Sequence, residues 1–210
     1  MMNDSDQKLL PSRSTAERHF YLMVLQCSGC GQGPFELVSS ERTSDQSQDI
    51  WYIRCKHCKK GGRLLFDRKS LLIDDATAMT EELPMISPAE TPSSLIDMGQ
   101  WLALFYRIIA AASDEKDRKE AQRLGYEATL CLEESLKFYH PDSDLPPPEA
   151  VWTESSKQRL KEHPEMFLRS RLLQMREKLP SLQVMRQNLA KSEGHNGRKK
   201  KHWWNKWFNK

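Results

Sequence analysis

Five cysteines carry the most specific chemistry in this 210-residue chain, and four of them form two C-x-x-C pairs, Cys27/Cys30 and Cys55/Cys58. A C-x-x-C turn points two thiolates the same way, so two such turns side by side complete a tetrahedron around one ion. Four sulfur donors favour zinc or iron, and a closed set of four leaves no open position for a reacting water. The expected cofactor is therefore one structural zinc ion. A redox dithiol would need a thioredoxin-like βαβ setting, which the flanking sequence lacks. His57 lies inside the second pair, where it would have to displace a better-placed thiolate, so it is expected to be exposed. Cys131 falls on an apolar helical face and reads as a small buried hydrophobe.

Short strands are the elements expected to position these thiols. The aromatic and long apolar residues of 19–25 predict a strand entering a tight turn at Cys27. Strands over 35–38 and 50–54 flank the polar loop 39–49 and lead into Cys55, and Gly61, Gly62 and apolar 64–66 suggest a last one. Together they predict a small antiparallel unit of four strands. Gly31 suits the left-handed position that follows a first knuckle, whereas the second pair has Lys59 there and glycine only at 61 and 62. Residues 1–18 are polar, with Pro11, and read as a flexible N-terminus.

With 24 residues between the pairs, Cys27-x-x-Cys30…Cys55-x-x-Cys58 resembles the zinc-ribbon class of rubredoxin-like knuckles over residues 19–75. The whole layout resembles uncharacterised bacterial zinc-ribbon proteins that carry a helical module, and what that resemblance implies is limited to the metal site. So small an apolar set makes metal binding and folding one event.

Pro84, Pro88 and Pro92 mark residues 76–93 as an interdomain linker. Beyond it, Trp101, Leu104, Phe105, Ile108 and Ala112 recur at helical spacing. Ser113 offers an N-cap for a second helix that carries Ala121, Leu124, Ala128 and Cys131 inward and ends at His140-Pro141. Two amphipathic helices with a short connection predict an antiparallel hairpin. Leu168, Leu172, Met175 and Leu179 form a further stripe starting near Pro164, and Leu182, Met185 and Leu189 a short last helix. The expected fold class is α+β: a small antiparallel zinc ribbon joined by a Pro-rich linker to a helical domain over 94–192, followed by a tail over 193–210.

The net charge of +3 is a sum of unequal parts. Residues 1–190 carry 25 basic and 28 acidic side chains, a balance of −3, and residues 191–210 carry 7 and 1, a balance of +6. A second basic concentration runs from Arg54 through Lys56, Lys59, Lys60, Arg63 and Arg68 to Lys69 against Asp67 alone, just after Trp51 and Tyr52. Basic residues beside an exposed aromatic hold a phosphate backbone and stack a base, which makes nucleic acid a possible partner. Part of that charge instead balances the roughly −2 of a zinc bound by four thiolates. Trp51 and Tyr52 alternate across a strand, so at most one is exposed. In the tail, Lys199, Lys200 and Lys201 precede Trp203, Trp204 and Trp207, a pattern suited to an anionic membrane surface, nucleic acid or a partner's groove, or to packing back on the chain's own helices.

No H-E-x-x-H, G-x-S-x-G, Walker or G-x-G-x-x-G motif occurs, the six histidines are scattered singly, and adjacent Glu133 and Glu134 read as a solvated face. No enzyme is expected. The longest apolar stretch is interrupted by Arg107 and too short to span a bilayer, and the first residues do not resemble an export signal. These readings predict a non-enzymatic, cytoplasmic, zinc-binding interaction or regulatory protein with a protein partner, the alternative being a nucleic-acid-binding protein that uses the basic ribbon edge and the tail.

Overall fold

The computed structural model describes residues 8–73, 85–179 and 181–185. They form two compact units, one of residues 8–73 with 85–88 and one from residue 89 onward. Among the described residues the architecture is α+β, with a four-stranded sheet in the first unit and four of the five described α-helices in the second.

In the first unit, strands β1 (Leu9–Pro11), β2 (Phe35–Arg42), β3 (Gln48–Cys55) and β4 (Gly61–Asp67) assemble in the order β1-β4-β3-β2, with helix α1 (Thr15–Val24) between β1 and β2 in sequence. The β2/β3 and β3/β4 pairs are antiparallel, as expected for 35–38, 50–54 and 64–66. The fourth strand is a correction. It is Leu9–Pro11, parallel to β4, so the sheet is mixed rather than antiparallel. Residues from Leu9 on therefore belong to a strand and a helix where a flexible N-terminus is expected.

Residues 19–25, read as a strand, lie mostly within α1. Their continuous apolar run does not distinguish helix from buried strand. The deciding signal lies upstream. The Ser14 side chain accepts from the Glu17 N–H, and the Glu17 carboxylate accepts from the Arg13 N–H at 2.6 Å and its guanidinium at 2.6 Å, so the first turn is closed from both sides. From there Ala16, Phe20 and Met23 fall on one buried face.

Strand β3 alternates cleanly: Asp49, Trp51, Ile53 and Cys55 are buried, while Tyr52 and Arg54 are exposed. Trp51 meets Phe66 edge-on with centroids 5.2 Å apart. Beneath them lies a side chain that composition does not anticipate. Arg18 is buried, its guanidinium 4.6 Å from the Phe66 centroid, donating to Asp49 Oδ2 at 2.6 Å and to Ser12 Oγ at 2.7 Å. Asp49 also receives Arg68 at 3.0 Å, so one buried carboxylate ties α1, β3 and the end of β4 together.

The segment expected as a linker, 76–93, is described only from residue 85. There Ile86 is buried, its carbonyl taking the Ser14 hydroxyl at 2.6 Å, and Ser93 is buried as acceptor for the Leu95 and Ile96 N–H groups.

In the second unit, α2 (Met98–Asp114) and α3 (Arg118–Leu136) pack as the expected hairpin, with Trp101, Leu104, Phe105 and Ile108 buried on one and Leu124, Ala128, Cys131 and Leu132 on the other. The cap between them differs from expectation. Ser113 sits inside α2, where its hydroxyl donates to the Ile109 carbonyl, and Asp117 caps α3 by accepting from Lys119 N–H. Asp97 makes a capping box with Gln100 at the start of α2 and also accepts from Thr153 N–H, Thr153 Oγ1 and Ser156 Oγ. It thereby fixes the start of α4 (Glu154–Glu162) against α2.

Glu133 and Glu134 correct the expectation of a solvated face: Glu134 is buried beside Lys137 at 2.7 Å, and Glu133 pairs with Arg176 at 2.6 Å. The stripe beginning near Pro164 divides into a single turn, Pro164–Phe167, and helix α5 (Arg169–Glu177), with Leu172 fully buried. The last expected helix is described only to Met185. Among the described residues no helix is long and apolar enough to cross a membrane.

Candidate metal centre

The two C-x-x-C turns are built the same way. In the first, Cys27 N–H donates to the Gln32 carbonyl at 2.6 Å and Gly31 N–H to the Cys27 carbonyl at 2.8 Å. In the second, Cys55 N–H donates to the Lys60 carbonyl at 2.9 Å and Lys59 N–H to the Cys55 carbonyl at 3.0 Å. Each bond recurs 28 positions later, so the turns are equivalent residue for residue. Gly31 and Lys59 both adopt left-handed backbone, φ +71° and +63°. The departure noted at Lys59 therefore changes the residue and leaves the turn unchanged.

Strand pairing brings the turns together. Phe35 lies opposite Cys55 in the β2/β3 ladder, and Lys56 N–H donates to the Pro34 carbonyl at 2.9 Å. Gly33 has a steric role. A Cβ there would lie 2.6 Å from the Leu25 carbonyl oxygen, so the chain leaving α1 and the chain entering β2 cross in contact.

The result is a compact set of four sulfurs, all within 4.8 Å of one another. Cys27 Sγ is 3.6 Å from Cys58 Sγ, and Cys30 Sγ is 3.8 Å from Cys55 Sγ. A tetrahedron with Zn–S bonds of about 2.3 Å has edges of about 3.8 Å, so these separations fit a tetrahedral thiolate ion. All five cysteines are free thiols.

The electrostatics favour a cation. The Gly29 N–H, 3.3 Å from the sulfur, draws Cys27 down to about 7 against the opposing effect of burial. The Gln32 N–H also lowers Cys30, but burial and the three neighbouring sulfurs outweigh it and push that thiol up to about 12. Thiolates packed this closely repel one another unless a positive charge lies among them.

His57 is exposed, as expected, and Cys131 is fully buried, with burial and then Glu127 and Glu134 holding its thiol well above the ordinary range. Among the basic residues, Arg54 pairs with Glu36 at 2.6 Å while half its side chain stays exposed, and Lys60 runs beside Gly29 to place its ammonium 3.4 Å from Ser28 Oγ. Lys59 is exposed at the tip of the second turn, Lys56 is half-buried, and Arg63 lies opposite Tyr52 in the β3/β4 register. Arg68 is committed to Asp49. Lys199, Lys200, Lys201, Trp203, Trp204 and Trp207 lie outside the described residues. Sequence reading missed the polar core of Arg18, Asp49 and Glu17, for which the only local trace was the Ser14-to-Glu17 cap spacing. No family model, curated protein or solved structure matches the chain.

Proposed function

We propose that the first unit is a zinc ribbon whose Cys27, Cys30, Cys55 and Cys58 thiolates hold one structural zinc ion, and that the chain is a non-enzymatic interaction or regulatory protein. The observation that carries the reading is the closed set of four sulfurs on two equivalent turns. Such a site offers no coordination position to a substrate, so the ion's contribution is to the fold. Thiols kept as metal ligands suit a reducing compartment, which places the chain in the cytoplasm on this reading.

The helical unit supplies the protein-binding surface in this proposal. Leu145 and Trp152, exposed near the proline-rich turn before α4, are its candidate anchors. A partner held there by apolar contact stays bound in high salt, and the chain with Trp152→Ala loses it.

The metal reading is tested by measuring zinc per chain in the purified full-length protein and by replacing it with cobalt. One zinc per chain and the intense visible and near-ultraviolet bands of tetrahedral cobalt thiolate support the site. A metal-free protein with an intact fold, or a cobalt spectrum without sulfur charge transfer, overturns it.

A further inference from the structure

Two residues that are not ligands meet across the two knuckles, beside the sulfurs. Lys60 stands at the end of the second turn, where its carbonyl accepts the Cys55 N–H at 2.9 Å, so the turn itself fixes its backbone. Its side chain does not stay with that turn. The stem crosses to the first turn and places its ammonium 3.4 Å from Ser28 Oγ.

Gly29 makes room for the crossing. Among the described glycines Gly31 alone has a left-handed φ, so backbone conformation does not demand glycine at position 29. Space does. A Cβ on Gly29 would lie 2.8 Å from Lys60 Cδ, too close to coexist with the stem as it stands, and also 3.6 Å from Cys27 Sγ and 3.7 Å from Cys58 Sγ. One point above Gly29 is therefore in reach of the Lys60 stem and of one sulfur from each knuckle. The equivalent position in the second turn is His57, which carries a side chain where the first turn leaves this space.

This is also the side on which the site lies open. Cys27 and Cys55 are buried, whereas Cys58 is exposed. A lysine packs its apolar methylene stem on a soft surface while the ammonium stays in water, and the shell around a metal site controls what reaches it. We infer that Lys60 is a strap across the Cys27–Cys58 edge that sets how fast zinc enters and leaves the centre, through the cover of its stem and not through its charge. The inference rests on the zinc-ribbon reading and adds control of exchange to it. Cover raises the barrier equally in both directions, so it slows exchange and leaves affinity unchanged. An ammonium acting as counter-charge to a thiolate site of roughly −2 would instead change the affinity.

The test is stopped-flow transfer of zinc from the zinc-loaded full chain to a chromogenic pyridylazo chelator, with zinc affinity measured separately by equilibrium competition. Lys60→Ala is expected to release zinc about tenfold faster while its affinity stays within about twofold of the parent's, an effect of the size that neighbours of metal ligands exert. Lys60→Met keeps the stem without the charge and is expected to release zinc within about twofold of the parent rate. Gly29→Ala added to Lys60→Ala sets a methyl in ordinary contact with both sulfurs and is expected to slow release back toward the parent. Cobalt-loaded Lys60→Ala is expected to keep the parent's visible bands, the sign of four undisturbed sulfurs. The inference is overturned by an unchanged release rate in Lys60→Ala, by equal acceleration in Lys60→Met, or by an affinity loss that matches the gain in rate. Altered cobalt bands, or a double variant no slower than Lys60→Ala, overturn it too. Zinc measured on the parent separates the two readings: one zinc per chain with release indifferent to Lys60 refutes the strap alone, and a folded chain without zinc refutes the ribbon.

Discussion

Gly31 and Lys59 occupy equivalent places, each one residue past the second cysteine of its turn, and share left-handed backbone at φ +71° and +63°. Only glycine adopts that region without a Cβ penalty, which amounts to roughly 1 kcal/mol for other residues. The two positions therefore respond with opposite signs. Lys59→Gly is expected to stabilise the zinc-loaded protein by about 0.5 kcal/mol, the strain relief being partly offset by the looser unfolded chain, and Gly31→Ala to destabilise it by about 1 kcal/mol. Denaturant midpoints at fixed zinc concentration measure both, and a shift of the same sign for the two variants contradicts the equivalence.

The Arg18 guanidinium and the Asp49 carboxylate are both buried, and Asp49 is the acidic partner that holds α1 against β3. Removing one member leaves an uncompensated buried charge. Asp49→Ala is expected to cost about 3–5 kcal/mol in urea unfolding. The double replacement Arg18→Met with Asp49→Leu removes both charges and is expected to recover most of that loss, because Arg42 is half exposed and Arg68 has solvent within reach. A double variant as unstable as Asp49→Ala would show that the network's geometry, and not the stranded charge, is what matters.

This network also shows where the sequence was legible and where it was not. Cys27, Cys30, Cys55 and Cys58 were readable because their residue type admits few roles and their spacing fixes a turn. The alternation of β3 and the stripe Trp101, Leu104, Phe105 and Ile108 were readable because a period needs only local residues. Arg18 and Asp49 were not, because each is buried against a partner 31 positions away, and a charged residue alone reads as surface. Residues 19–25 failed for a different reason. A short unbroken apolar run fits both helix and strand, and the Ser14 cap that decides between them stood in a segment dismissed as polar lead-in. Strand β1, three residues long, gains its identity only from the free edge of β4.

Asp45 gives a pH-dependent prediction. The hydroxyls of Thr43 at 2.5 Å and Ser47 at 2.7 Å and the Ser47 N–H donate to its carboxylate and hold it at about 2. A carboxyl lowered on folding favours the folded state above its ordinary value near 3.9, and that contribution is lost as pH falls toward about 2. Carbon-detected NMR titration is expected to give Asp45 a midpoint near 2, and Thr43→Val, which removes the nearest hydroxyl, is expected to raise it toward the ordinary range. A midpoint unmoved by Thr43→Val would assign the shift to the Ser47 bonds alone.

The five thiols should divide into four and one by what protects them. Cys27 and Cys55 are buried, but Cys58 is exposed and Cys30 half-buried, so on the metal-site reading a bound ion, and not burial, is what shields the outer two of the four clustered thiols from a thiol reagent such as Ellman's. Cys131 is protected by burial inside the α2/α3 hairpin, which also keeps it protonated. The native zinc-loaded chain is therefore expected to react slowly at all five positions, a chelator to release four fast-reacting thiols together with the zinc, and denaturant to expose the fifth. Cys131→Ala is expected to abolish the denaturant-dependent step and leave the chelator-dependent one intact. Five thiols released by chelator alone would mean that losing the ion unfolds the helical unit as well as the ribbon, and no reaction on chelation would mean that the four sulfurs are held by something other than a metal.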